Sequence, residues 1–217
     1  MSHFGRNSRA QRVEILQTDF GNTGGAYRLA MLSADLTVVA AATSTAGHIA
    51  AFRNASTTLT TVVDAIRVKL WTTVLPTALQ QISLGLVMAR AYTVAHTGGA
   101  AATVTTNNGK LRTSHATLAD IGLLCGTTGA LTAGTHTLDA QNFANSGIYV
   151  MAAGAAAHSA TPLELTYAPA PGVGKIILAK NEGIVVVNNI LMGTAGKYNI
   201  SVEVDFHVVD LKSSYQQ

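Results

Sequence analysis

In GKIILAKNEGIVVVNNILMGTAGKYNISVEVDFHVVD, residues 174–210, apolar side chains take every second place from Ile200 through Val202, Val204 and Phe206 to Val208. Ser201, Glu203, Asp205 and His207 fill the places between. Successive side chains of a strand point to opposite faces, so this is a long strand with one face in a core and the other toward water or a partner. The β-branched run Ile184, Val185, Val186, Val187 precedes it, followed by Asn188-Asn189 and the turn-permitting GTAG at 193–196. The expectation is a β-hairpin joining the two runs.

Working outward, residues 26–32, 36–42 and 48–54 are three short apolar runs at regular spacing, the pattern of a sandwich or barrel. Residues 64–74 alternate, with Ile66, Val68 and Leu70 on one face and Arg67, Lys69 and Trp71 on the other. Residues 79–92 read as strand, with Ile82, Leu84, Leu86 and Met88 in line; helix competes for part of the run, and Gly85 and the β-branched neighbours favour strand. From 93 to 147 the chain turns to Gly, Thr and Ala, and reads as a loop-rich insertion of short extended pieces. Residues 148–151 and 163–167 return to strand character before a rigid corner at Pro169 and Pro171. One all-β domain is expected: an antiparallel β-sandwich over residues 18–210, with a polar N-terminal arm at 1–17 and a C-terminal tail at 211–217.

Only 12% of the 217 residues are charged, against roughly 25% in typical soluble domains. The mean hydropathy is +0.29, yet no run reaches the ~18 apolar residues of a membrane span. A surface so poor in charge suits a protein packed among copies of itself. The net charge of +3 is a thin excess. Its one cluster, Arg6, Arg9 and Arg12, is expected to be solvated or to clasp a neighbouring subunit, in preference to touching DNA. The single Cys125 excludes an intrachain disulfide framework. Residues 1–12 show no secretory signal, so folding in a cytoplasm is the expectation.

Nothing in the spacing points to catalysis. The histidines, at 3, 48, 96, 115, 136, 158 and 207, are scattered without a His-Glu-x-x-His, so neither a metal nor a cofactor is expected. Glu203, Asp205 and His207 share a strand face, which is expected to meet water or an interface. There is no Gly-x-Ser-x-Gly elbow. GTAGK at 193–197 lacks the Ser/Thr and the following helix of a phosphate loop.

Five segments carry a resemblance: HIAAFRN (48–54), LGLVMARAYT (84–93), TTNNGKLRT (105–113), LTAGTHTLDA (131–140) and AKNEGIVVV (179–187), followed by the closing strand. Together they resemble structural proteins of tailed-bacteriophage virions. The resemblance implies a jelly-roll-like sandwich assembled as a homotrimer, located in the virion after assembly in the host bacterial cytoplasm. The role it suggests is non-enzymatic capsid decoration (a cement protein), with the major capsid protein as partner. In that role Arg6, Arg9, Arg12, Trp71, Tyr198 and Tyr215 are the expected contact residues. The alternative is a tail or fibre component that meets a host glycan through the Gly/Thr-rich loops.

Overall fold

The computed structural model describes residues 23–210 apart from 38, 44–45, 133, 154–161, 171–172 and 194. Arg6, Arg9, Arg12 and Tyr215 lie outside the described residues. Among those described, the regular elements are all strands: β1 (Thr23–Leu32), β2 (His48–Asn54), β3 (Leu59–Val74), β4 (Gln80–Val94), β5 (Gly99–Val104), β6 (Leu118–Gly126), β7 (Thr135–Leu138), β8 (Ala144–Val150), β9 (Leu163–Tyr167), β10 (Ile176–Leu178), β11 (Glu182–Asn188) and β12 (Lys197–Asp210). They form two antiparallel sheets packed as a sandwich. One runs β1-β12-β3-β10 with β9 also on β3; the other runs β5-β6-β2-β11-β4-β7 with β8 also on β4.

β12 behaves as its alternation requires. Tyr198 and the even-numbered residues from Ile200 to Val208 are buried, while the odd-numbered residues from Asn199 to Val209 are half-buried on the outer face. It lies between β1 and β3, with Phe206 opposite Tyr27 on one side and Val63 on the other. Phe206 stacks on Tyr27 at 5.4 Å between ring centroids and meets Phe52 of the facing sheet at 5.0 Å. These rings form the middle of the core, as burial of large aromatic area favours.

The expected hairpin does not form. β11 pairs with β2 and β4 in the second sheet, whereas β12 belongs to the first. The reason lies in the run itself: six consecutive residues of β11, from Gly183 to Asn188, are buried. A strand covered on both faces sits in the middle of a sheet and reads as unbroken β-branched residues. Ile184 and Val186 face the sandwich interior, while Val185 and Val187 join a second, smaller core with Ala51, Val87, Ala89, Tyr92 and Leu131 on the outer face of that sheet.

Two further expectations change. Of the described residues in the run 36–42, Leu36 alone enters a bridge, with Tyr198. Farther on, Asn188, fully buried, donates from Nδ2 to the carbonyls of Val39 (3.0 Å) and Ala40 (3.1 Å), so a side chain takes the place of a ladder. Residues 93–147 are no appendage. β6 pairs with β2 and sends Leu118, Ile121, Leu123 and Cys125 into the main core, and β5, β7 and β8 complete that sheet's edges.

Candidate functional site

On the outer face of the second sheet, above the smaller core, three of the scattered histidines come together. His48 starts β2, His96 lies in the connection after β4, and His136 is in β7. The ligand nitrogens of all three lie within 4.8 Å of one another, and their ring centroids are 4.7 to 5.1 Å apart. His48 is 0% and His96 3% exposed, and His136 is half-buried.

Two irregularities put them there. The β2–β11 register shifts between His48 and Ala50, which face Val187 and Val186, so Ile49 is an extra residue. That bulge turns His48 to the same face as Ala51, where strict alternation would have sent it inward with Ala50 and Phe52. The β4–β7 register shifts between Arg90 and Val94, and Ala91 adopts φ 48°, a left-handed conformation that L residues rarely take. It carries Tyr92 to the face of Val87 and Ala89. Bulges re-aim side chains in this way.

Arg53 holds the second bulge in place. Its Nε donates to the Tyr92 carbonyl at 2.7 Å, and its terminal NH2 group donates to the Thr93 carbonyl at 2.8 Å and to Asn181 Oδ1 at 3.3 Å. The guanidinium carbon also lies 5.4 Å from the Tyr92 ring centre. Carbonyls turned out of a ladder still need donors, and a fork of N–H groups supplies two at once.

The hydrogen bonds within the cluster order its protons. The Thr43 carbonyl can only accept, so His48 Nε2, 2.9 Å away, carries a proton. In the neutral ring His48 Nδ1 then accepts, and its partner His96 Nε2, at 2.8 Å, donates. His96 Nδ1 is left to accept from the Tyr92 hydroxyl. Charge is disfavoured throughout. Burial, together with the neighbouring His48 and His136, pushes His96 down to about 3, while burial pushes the Tyr92 phenol up to about 12. Burial also lowers His48, partly offset by the Thr43 carbonyl, and it lowers His136 along with the nearby His48. Both ring nitrogens of His136 are buried without a hydrogen-bond partner.

Two clefts flank the cluster. One of about 490 Å³ is lined by Thr43, Val87, His136, Leu138, Asp139 and Asn189. The other, about 300 Å³, reaches Arg53, Tyr92, His96 and Ala101. Three neutral imidazoles can donate lone pairs to a metal ion.

The residues singled out from sequence lie elsewhere. Trp71 is half-buried on the outer face of the first sheet, opposite Asn199. Tyr198 is 0% exposed and belongs to the main core, so it is no surface contact; its even number already places it in phase with Ile200 and Val202. Glu203 and Asp205 form an ion-pair ladder across β1, β12 and β3. Arg28 and Arg67 both hold Asp205, the latter at 2.7 Å, and Arg67 also reaches Glu203 at 3.8 Å. His207 Nδ1 lies 2.9 Å from Asp64, which Lys175 also holds. The convergence of His48, His96 and His136 has no signal in their sequence spacing. No protein-family model matches the chain, and no curated protein matches it.

Proposed function

We propose that the chain is a non-enzymatic structural protein of a tailed-bacteriophage virion, acting as a homotrimeric decoration protein that braces neighbouring capsomers of the shell. The observation that carries this reading is the strand order. With β9 and β10 counted as one edge, β7 and β8 as another, and β5-β6 set aside as additional strands beyond β2, β1-β12-β3-β9/10 faces β2-β11-β4-β7/8, and the chain crosses between sheets at each of its first three connections. First and last strands side by side, and the alternation of β1 to β4 and of β10 to β12 between the two layers, support a jelly roll, an architecture used by viral shell proteins and also by lectins and cupins. Fold alone does not choose among these.

The surface adds a second support. β4 begins at Gln80, which pairs with Val150 and donates from Nε2 to the Leu191 carbonyl, and Val74 pairs with Lys197. These links bring the exposed Val74, Leu79, Tyr149, Met151 and Leu191 to one end of the sandwich. An apolar end on a chain with 12% charged residues suits burial against a neighbouring copy. Cys125 is buried in the core, and burial pushes its thiol up to about 11, away from thiolate chemistry.

The test is cryo-electron microscopy of the particles that carry this protein. Trimeric density at three-fold or quasi-three-fold positions of the shell is the expected result. Density confined to the tail or fibres would overturn it in favour of a host-binding component.

A further inference from the structure

The geometry points to a second property: His48, His96 and His136 form a three-imidazole site for a divalent transition-metal ion of the zinc class. The first argument is position. Zinc–imidazole bonds of about 2.0–2.1 Å at tetrahedral angles place ligand nitrogens about 3.4 Å apart. Here the candidate nitrogens lie within 4.8 Å of one another, and the nearest pair, at 2.8 Å, needs only to open slightly.

The second argument is outer support. Metal-bound histidines characteristically give their other ring N–H to a carbonyl or similar acceptor, which fixes the ring. His48 presents Nδ1 to the cluster while its Nε2–H is held by the Thr43 carbonyl. His96 presents Nε2 while Nδ1 faces the Tyr92 hydroxyl. Coordination moves one proton, from His96 Nε2 to His96 Nδ1, and the Tyr92 hydroxyl turns from donor to acceptor. Three lone pairs then replace three waters of the hydrated ion, and the cluster's proton count is unchanged.

The third argument is His136. A neutral imidazole has one donor and one acceptor, yet both nitrogens of this buried edge are without partners. A metal ion satisfies one of them. The donor set also selects the metal: Ca²⁺ and Mg²⁺ want oxygen ligands, whereas neutral imidazoles suit zinc, cobalt, nickel and copper. The cleft beside His136 and Thr43 gives a path of entry and room for a water as fourth ligand. The ion would tie β2, the connection after β4 and β7, segments far apart in sequence, into a clip over the second sheet. That is metal-dependent stability, separate from any location in a particle.

The experiment uses the full chain without an affinity tag, stripped with a chelator and titrated with Zn²⁺ by calorimetry and with Co²⁺ by visible absorption. Expected are one ion per chain, the intense visible bands of four-coordinate cobalt, and a thermal midpoint raised by zinc and returned by chelator. H136Q, at a half-buried residue with no hydrogen bonds to lose, should keep the metal-free midpoint within about 4 °C. It should weaken binding at least about a hundredfold, and Y92F by about ten- to a hundredfold. H207Q, far from the cluster, should bind as the parent does. Absence of binding or of a thermal shift in the parent chain would overturn the site. So would H136Q binding with parental affinity, or H207Q abolishing it.

Discussion

Arg53→Met tests whether the β4 bulge, and with it Tyr92, is held by one guanidinium. The substitution keeps an apolar stem of similar length and removes the fork. Two short hydrogen bonds from a charged donor are lost, at 2.7 Å to the Tyr92 carbonyl and 2.8 Å to the Thr93 carbonyl, with a weaker one to Asn181 at 3.3 Å. Hydrogen bonds to charged groups contribute about 1.5–3 kcal/mol each where water cannot replace them. The Tyr92 bond is partly buried and counts in full, whereas the Thr93 bond is open to solvent and counts for about a third. Loss of the guanidinium over the Tyr92 ring adds about 0.5–1 kcal/mol. The expected destabilisation is about 2.5–5 kcal/mol, which in a chain of this size lowers the thermal midpoint by about 5–20 °C. Urea unfolding followed by tryptophan fluorescence and far-UV dichroism gives the free energy, with an unchanged slope m certifying a pure stability effect. Arg53→Lys should recover less than half, because one ammonium on a flexible stem cannot reproduce a planar fork. A loss below about 0.5 kcal/mol for Arg53→Met would refute the reasoning and mean that the bulge holds itself.

Ala91→Gly should be neutral to about 1.5 kcal/mol stabilising, since relief of the φ 48° conformation, about 1–2 kcal/mol, is offset by about 0.5–1 kcal/mol of glycine entropy; chemical denaturation of Gly and Val variants, with Val destabilising, checks the sign. Phe206→Ala, removing the ring that touches Tyr27 and Phe52, should cost about 3–5 kcal/mol in the same assay. For Asp205, burial alone would raise the pKa, but the hydrogen bonds and charges of Arg28 and Arg67 hold it below the usual carboxylate value. Its contribution is therefore complete above about pH 3.9 and is lost as pH falls through the folded pKa, so D205N should be less stable at pH 7 and show a flatter decline on acidification.

The sandwich was legible because its main strands obey simple periods. His48–Asn54 and Leu163–Tyr167 match the read boundaries residue for residue, and the alternation of β12 told which side chains are inside. Partnership was less legible than existence. The run Ile184–Val187 has no polar face, and that alone argues for the middle of a sheet with two partners, against a hairpin with a strand that keeps one face outside. Edge strands were legible only in part, for the opposite reason: β7 and residues 144–147 of β8 have no fully buried residue and little apolar signal, whereas the Ile148, Tyr149, Val150 end of β8 reads as strand. The histidine cluster failed differently. Strict alternation along β2 turns His48 inward with Ala50 and Phe52, and along β4 turns Tyr92 inward with Met88. The extra residue Ile49 in β2 and the left-handed Ala91 in β4 reverse both assignments, because a change of phase exchanges the two faces of a strand. Neither bulge is marked by glycine; Ile49 and Ala91 are ordinary strand residues, and the donor that stabilises the second, Arg53, lies 39 positions from the carbonyl it holds. The polar cluster therefore exists only where the period of two is broken, and long-range hydrogen bonding, absent from any local pattern, is what breaks it.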